Sequence, residues 1–271
     1  MTTTTPLVSV LMGVHNGERF LENAIDSILE QTITDFEFVI IDDGSTDNTP
    51  HILAQYMDPR IQVVTQANQG LTRTLNSGLR LCQGRFIARM DADDQALPNR
   101  FEKQVNFLLN NPDVVVLGSG FRQEDLLRQR SEDIILPKTD AAIRRAMLSG
   151  NPFCHPAVML RRDALLAVGG YDESFRYTQD YELWSRLIAY GRFHNLPEVL
   201  LVRRYHKDNV SNSWRNEGLR LWLFMRANSR AIRRLGYPWY HQLRVLLALK
   251  FIPLDLYAAF KSRRAKRTNH E

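Results

Sequence analysis

Short apolar runs that break off into polar or acidic clusters recur along the first half of the chain, and nothing else in the sequence limits the fold as strongly. Val8 to Val14 (VSVLMGV) and Phe36 to Ile41 (FEFVII) are β-rich and continuously apolar, as strands buried on both faces of a parallel sheet must be. Between them Phe20, Leu21, Ala24, Ile25, Ile28 and Leu29 fall at helical spacing within residues 19–31, so the opening reads as a β-α-β unit. Ile61 to Thr65 predicts a third strand and Leu71 to Cys82 a helix. Arg85 to Arg89 (RFIAR), Asn99 to Leu109 and Val114 to Leu117 continue as strand, helix and strand. Such alternation predicts an α/β fold with a doubly wound, mostly parallel sheet flanked by helices, which binds its ligands beyond the carboxyl ends of the strands. His15-Asn16 follows the first strand, Asp42-Asp43-Gly44-Ser45 the second and Asp91-Ala92-Asp93 the fourth, so these clusters are expected to share one crevice.

After Pro152 the alternation weakens to a strand at Ala157 to Leu160 and helices at Arg162 to Val168 and Asp180 to Tyr190. From about Ser213 the chain turns to Trp, Leu, Phe and Arg without a strand signal. The expected organisation is therefore a domain over 1–212 and a basic, amphipathic helical extension over 213–271. Of the formal charge of +5, residues 203–271 carry 16 Lys and Arg against 4 Asp and Glu, and the rest 19 against 26, so the basic character belongs to the tail. Two cysteines, Cys82 and Cys154, build no disulfide framework and point to a reducing compartment. The opening MTTTTPLVSV has no basic segment leading into an apolar one, so a signal peptide is not expected.

Asp91-Ala92-Asp93 carries the strongest chemical signal: carboxylates two residues apart at a strand end can hold a hard divalent cation that keeps positions open for phosphate oxygens. Its structural alternative is a turn in which Asp94 caps the following helix. Asp42 to Asp47 likewise reads either as a turn with Ser45 or Asp47 as a cap, or as a strand end whose carboxylate meets a base or ribose. Asp180, ahead of an amphipathic helix, is an N-cap or a general base for a hydroxyl. His206 is a surface histidine or a metal nitrogen.

Taken together and in order, these segments resemble the family 2 glycosyltransferases, the inverting group with the GT-A fold. VSVLMGVHNGERFLENAIDSILEQT is similar to that family's first strand and helix and FEFVIIDDGSTDNT to its nucleotide-contacting second strand. ANQGLTRTLNSGLRLCQGRFIARMDADD and LPNRFEKQVNFL resemble the stretch around its Asp-x-Asp. CHPAVMLRRDALLAVGGYDESF, QDYELWSRL and RRYHKDNVS resemble its acceptor-side half. The resemblance spans residues 7–212. It implies that His15 and Asp43 border the base, Asn68 lies near the nucleotide, Asp91 faces ribose or phosphate, Asp93 binds Mn²⁺ or Mg²⁺ with His206 as a second ligand, and Asp180 is the catalytic base. The family often has Glu-Asp where this chain has Gln179-Asp180. Its processive members carry Gln-x-x-Arg-Trp and transmembrane helices, and neither pattern occurs here, which implies transfer of one sugar.

The reaction implied is a single displacement, with inversion, from a nucleoside-diphosphate sugar, UDP-sugars favoured, to a glycan or lipid-linked hydroxyl in cell-surface glycan synthesis. Residues 243–260 are apolar but interrupted by Arg244, Lys250, Pro253 and Asp255, which argues against a membrane span. Ending in KSRRAKR, the tail suits the cytoplasmic face of the cell membrane, or else a helix packed on the catalytic domain or on a second subunit. The rival reading is a non-catalytic nucleotide-sugar-binding or scaffold protein, which Asp93 and Asp180 together oppose. Nucleic acid is not an expected partner, because no reading motif accompanies the basic residues.

Overall fold

A computed structural model describes residues 5–207, 217–238 and 240–241. In chain order the first elements are β1 (Val8–Val14), α1 (Leu21–Leu29), β2 (Phe36–Asp42), α2 (Thr49–Ala54), β3 (Ile61–Thr65), α3 (Leu71–Leu79) and β4 (Phe86–Asp91). Then come β5 (Gln95–Ala96), α4 (Arg100–Asn110), β6 (Val114–Asp125), β7 (Arg130–Ile134), α5 (Asp140–Ala146) and, after a 3₁₀ turn at His155–Ala157, β8 (Met159–Arg161). The chain continues through α6 (Arg162–Ala167), α7 (Gln179–Leu187), β9 (Arg192–Tyr205) and α8 (Glu217–Arg234). Among the described residues the strands form a single sheet in the order β3-β2-β1-β4-β8-β6-β9-β5, with β7 paired to β6. The first four strands, and β6 with β9, run parallel, while β5, β7 and β8 are antiparallel to their neighbours.

Alternation along the central strands divides the core into two layers. Val10 and Met12 of β1, with Phe38 and Ile40 of β2, face α1 and α4, where Ile25, Ile28, Phe101 and Val105 close the layer. Leu11, Val39, Ile41 and Ile87 face the opposite way, onto Leu75 and Leu79 of α3 and Leu183, Trp184 and Leu187 of α7. Helix α3 approaches β1 so closely that a Cβ on Gly78 would lie 2.4 Å from the Leu11 side chain, which only glycine avoids at this position. Both cysteines are free and buried.

The elements expected from periodicity are present with shifted ends, and several others are not visible in the pattern. The strand expected at 157–160 is instead a 3₁₀ turn followed by β8, because Pro156 removes a backbone donor where a ladder bond would fall. Strand β9 escapes a periodicity reading because Pro197 and Glu198 interrupt it. The register jumps from Ser119 opposite Leu196 to Gly120 opposite Val199, so the interruption is carried as a bulge.

Within the extension, α8 lays Leu223, Ala227 and Ala231 into the α7 side of the core, where they are at most 2% exposed. No helix among the described residues is long and apolar enough to cross a membrane. Residues 243–260 and the basic run KSRRAKR lie outside the described residues.

Candidate active site

The loops leaving β1, β2 and β3 are tied to one another by short hydrogen bonds. Asn16, in a left-handed conformation (φ 55°), donates its backbone N–H to Ser45 Oγ at 2.9 Å and accepts from Thr46 N at 2.8 Å. Gly17 N donates to Thr49 Oγ1 (2.8 Å) and Glu18 N to Asp47 Oδ2 (3.1 Å). The N-cap of α2 is Asn48 rather than Ser45 or Asp47, and these two instead bind the second strand's loop to the first. The exposed His15 ring places Nδ1 3.1 Å from the Asp43 carbonyl oxygen.

Asp43 itself is buried and fully engaged with the loop after β3. Its Oδ1 accepts from Gln66 Nε2 (2.7 Å) and Gln69 N (2.9 Å), and its Oδ2 from Gly70 N (2.8 Å). Burial alone would raise its pKa, but these donors outweigh it and hold the carboxyl below the ordinary value. Asn68 lies in the same loop, exposed, beside Gly44. Gly44 has φ +72°, and a Cβ there would sit 2.9 Å from Asn68 N, so the turn requires glycine for conformation and for space.

At the end of β4, Asp91, Asp93 and Asp94 each bring a carboxylate oxygen within 4.8 Å of the others. The loop after β1 lies alongside, since a Cβ on Gly17 would be 3.7 Å from that of Ala92. Strand β9 delivers His206, whose Nε2 is 3.0 Å from Asp93 Oδ2 and whose ring centroid is 4.9 Å from that of Phe20. The two residues expected to share a cation thus meet, although they are far apart in sequence. Asp94 does not cap α4. It is 1% exposed and accepts the Arg204 backbone N–H at 3.0 Å, fastening β9 to the acidic loop. Burial first, then the neighbouring carboxylates, raises Asp93 above its ordinary pKa and Asp94 well above it. Clustered oxygens that repel one another, with an imidazole beside them, fit a hard divalent cation.

Arg89, which periodicity places in a buried strand, pairs with Asp91 from a position 1% exposed. Its charge also bears on Tyr171, His155 and Asp180, so this guanidinium links the β4 end to α7. Helix α7 starts after Thr178, a left-handed residue (φ 58°) that makes no side-chain cap bond. Asp180 is not the N-cap; it is the second helical residue. Its Oδ1 accepts Tyr181 N at 2.8 Å and its Oδ2 accepts Asn151 Nδ2 at 2.5 Å. Burial raises its pKa above the ordinary carboxylate value, against the opposing pull of those two donors and of Arg89. Contacts with α8 hold this helix from behind. Fully buried Glu182 accepts from Arg186 (2.8 Å) on its own helix and from Arg230 (3.0 Å) and Arg234 (3.3 Å) on α8. Tyr181 Oη accepts from Asn228 Nδ2 at 2.8 Å.

The structure therefore gathers His15, Asp43 and Asn68 in the tied loops after β1, β2 and β3, and Asp91, Asp93 and His206 at the ends of β4 and β9, with Asp180 on α7 subject to the charge of Arg89. Sequence reading misses Arg89, Asn151, Tyr171 and Glu182. An arginine inside an otherwise apolar strand is the signal that could mark Arg89, whereas Asn151 sits in a loop with no distinguishing pattern.

Residues 9–169 match the family described as Glycosyl transferase family 2. The O-antigen biosynthesis glycosyltransferase WbnJ of Escherichia coli is 34% identical over 213 residues, covering 76% of this chain and 83% of the relative. Among solved structures, S. aureus TarS 1-349 in complex with UDP-GlcNAc superposes with TM-score 0.71 at 18% identity over 88% of this chain and 70% of that one. The mannosyltransferase PcManGT from Pyrobaculum calidifontis, in complex with GDP-Man and Mn²⁺, gives TM-score 0.67 at 20% identity over 97% and 81%. At such identities these two likenesses establish a shared GT-A-type fold.

Proposed function

The chain belongs to glycosyl transferase family 2, and on that premise we propose that it is a glycosyltransferase of polysaccharide or O-antigen biosynthesis that moves one sugar from a nucleoside-diphosphate donor to a hydroxyl acceptor with inversion. The observation that carries this reading is the buried Arg89. It pairs with Asp91 of the acidic cluster and its charge also acts on Asp180, so the groups proposed to meet the diphosphate and the acceptor share one guanidinium.

His15, Asp43 and Asn68 line the nucleotide wall in this reading, with Asp43 keeping the loop at 66–70 in shape. Asp93 and His206, supported by Asp91, would hold Mn²⁺ or Mg²⁺, which when bound supplies a Lewis acid that neutralises charge on the diphosphate. Asp180 takes the acceptor's proton as its oxygen bonds to the anomeric carbon and the bond from that carbon to the diphosphate oxygen breaks. A carboxyl raised by burial suits this role, because its ionised form is a better base than an exposed aspartate. A bare binder or scaffold gives no reason to keep both a cation-binding cluster and a half-buried carboxylate oriented by Asn151 and Tyr181.

UDP-sugars remain the favoured donors, and GDP-mannose is the next to try. A panel of nucleotide sugars incubated with the full chain and Mn²⁺ or Mg²⁺ tests the proposal. Metal-dependent release of a nucleoside diphosphate is expected, and binding without release from every donor, with acceptor glycans present, would return the scaffold reading.

The same proposal places the enzyme at the inner face of the cell membrane. On α8, Leu219, Leu221 and Trp222 are exposed beside Arg226, whose guanidinium carbon lies 5.4 Å from the Trp222 ring. Apolar and cationic groups side by side suit an anionic leaflet. Full-length protein is expected to float with phosphatidylglycerol vesicles, less so as Trp222→Ser; equal flotation of both, or none, removes this part.

A further inference from the structure

The loop between α5 and β8 brings a neutral amide against the proposed base, and the hydrogen bonds around that amide leave it one orientation. Asn151 Oδ1 faces two groups that can only donate: the indole Nε1 of Trp184 at 3.1 Å and the backbone N of Phe153 at 3.2 Å. The amide oxygen must therefore point at them, and the Nδ2 hydrogens at Asp180 Oδ2, 2.5 Å away. Trp184 is itself fixed: it is 0% exposed and packs edge-on against Phe153 with ring centroids 5.4 Å apart. Being on the same helix as Asp180, it closes a loop of contacts from α7 out to Asn151 and back. With Tyr181 N on Oδ1, the carboxylate has one donor on each oxygen, which sets its plane and leaves each oxygen a further lone pair.

We propose that Asn151 is a positioning residue for the glycosyl transfer, holding the Asp180 carboxylate in the orientation that receives the acceptor's proton, and that Trp184 sets Asn151 in turn. This rests on the reading of Asp180 as base. The other groups bearing on Asp180 are Arg89 from β4 and the Tyr171 hydroxyl from the segment ahead of α7, and neither is altered by a change at Asn151. A charge-assisted hydrogen bond favours the ionised form, so its loss makes Asp180 harder to ionise. It also loosens the carboxylate's aim, and a misplacement of about 1 Å can cost about a hundredfold in rate.

The test uses the full chain as wild type, Asn151→Ala, Asn151→Asp, Trp184→Phe and Asp180→Asn. Carboxyl ¹³C NMR of aspartate-labelled protein, with Asp180→Asn identifying the resonance, follows Asp180 without any donor. Its midpoint is expected to move to higher pH in Asn151→Ala, further in Asn151→Asp, where a second carboxylate replaces the donor, and less in Trp184→Phe. Asn151→Ala strands the buried Trp184 indole N–H and is expected to melt somewhat lower, whereas Asn151→Asp keeps an oxygen acceptor for it and is expected to melt closer to wild type. With UDP-GlcNAc or GDP-mannose and Mn²⁺, kcat for diphosphate release is expected to fall roughly tenfold to a hundredfold in Asn151→Ala at unchanged donor KM. An Asp180 midpoint that stays put in both Asn151 variants overturns the proposal. Normal turnover in Asp180→Asn instead removes the base reading, a result the NMR titration does not depend on.

Discussion

The loops after β1 to β3 and helix α7 each hold an aspartate of the proposed site, but they are built differently. On the wall, Asp43 is held by donors from a loop some 25 residues on, and the loops after β1 and β2 are stitched together by backbone N–H groups and the side chains of Ser45, Asp47 and Thr49. Across the crevice, Asp180 relies on Asn151, on Arg89 of β4 and, behind its helix, on arginines of α8. The wall is a local mesh that any change disturbs only nearby. Helix α7 is a lever whose position is set by remote parts of the chain, including the extension.

That contrast can be broken first at the centre, where both halves are expected to depend on the acidic cluster. Asp93→Ala is expected to lower metal-dependent turnover at least about a hundredfold, since stabilising a diphosphate's charge is worth several kcal/mol; turnover that stays within a few-fold, assayed across Mn²⁺ concentrations, would take Asp93 out of the site. Next comes the lever. Glu182→Ala removes the buried carboxylate shared by Arg186, Arg230 and Arg234, and denaturant unfolding is expected to show a loss of about 3 kcal/mol, toward the low end for a broken buried pair because the arginines are partly solvated and Arg230 keeps Asp172. An unchanged midpoint would mean that α8 does not brace α7. For the same reason, truncation at 212 would unfold the α7 side of the core and cannot serve as a neutral test of the tail. The wall should yield the smallest effect: Asp43→Ala strands the N–H groups of Gln69 and Gly70, costs about 1–3 kcal/mol and weakens nucleotide binding without changing kcat for bound donor. Isothermal titration with UDP and GDP, compared with kcat, checks the split.

Legibility in the sequence follows the same divide. β1 to β4 are apolar runs bounded by polar clusters, and a parallel sheet sends those clusters to one edge, so the amino-acid pattern by itself assigns His15, Asp43, Asp91 and Asp93 to a common crevice. Asp180 and His206 are singled out only through family resemblance, because nothing local separates a base from a helix cap or a ligand from a surface histidine. The supports are not legible at all. Asn151 gains its meaning from Trp184, 33 residues later, and Glu182 from arginines some 50 residues on. β9 is hidden by Pro197 and Glu198, which disrupt alternation at the place where the bulge absorbs them.

Asp180 acting as the base across from the cation-binding cluster is the central assignment, and one comparison reaches it directly: the pH dependence of kcat for diphosphate release in wild type and Asp180→Asn, alongside nucleotide affinity with Mn²⁺. Because the folded carboxyl is raised and only its ionised form accepts a proton, wild-type kcat should fall as pH drops through a value higher than that of an exposed aspartate. Asp180→Asn should bind nucleotide as tightly, lose about a hundredfold to ten-thousandfold in kcat, and no longer show that limb. A variant that turns over at near wild-type rate with the limb intact would contradict the assignment.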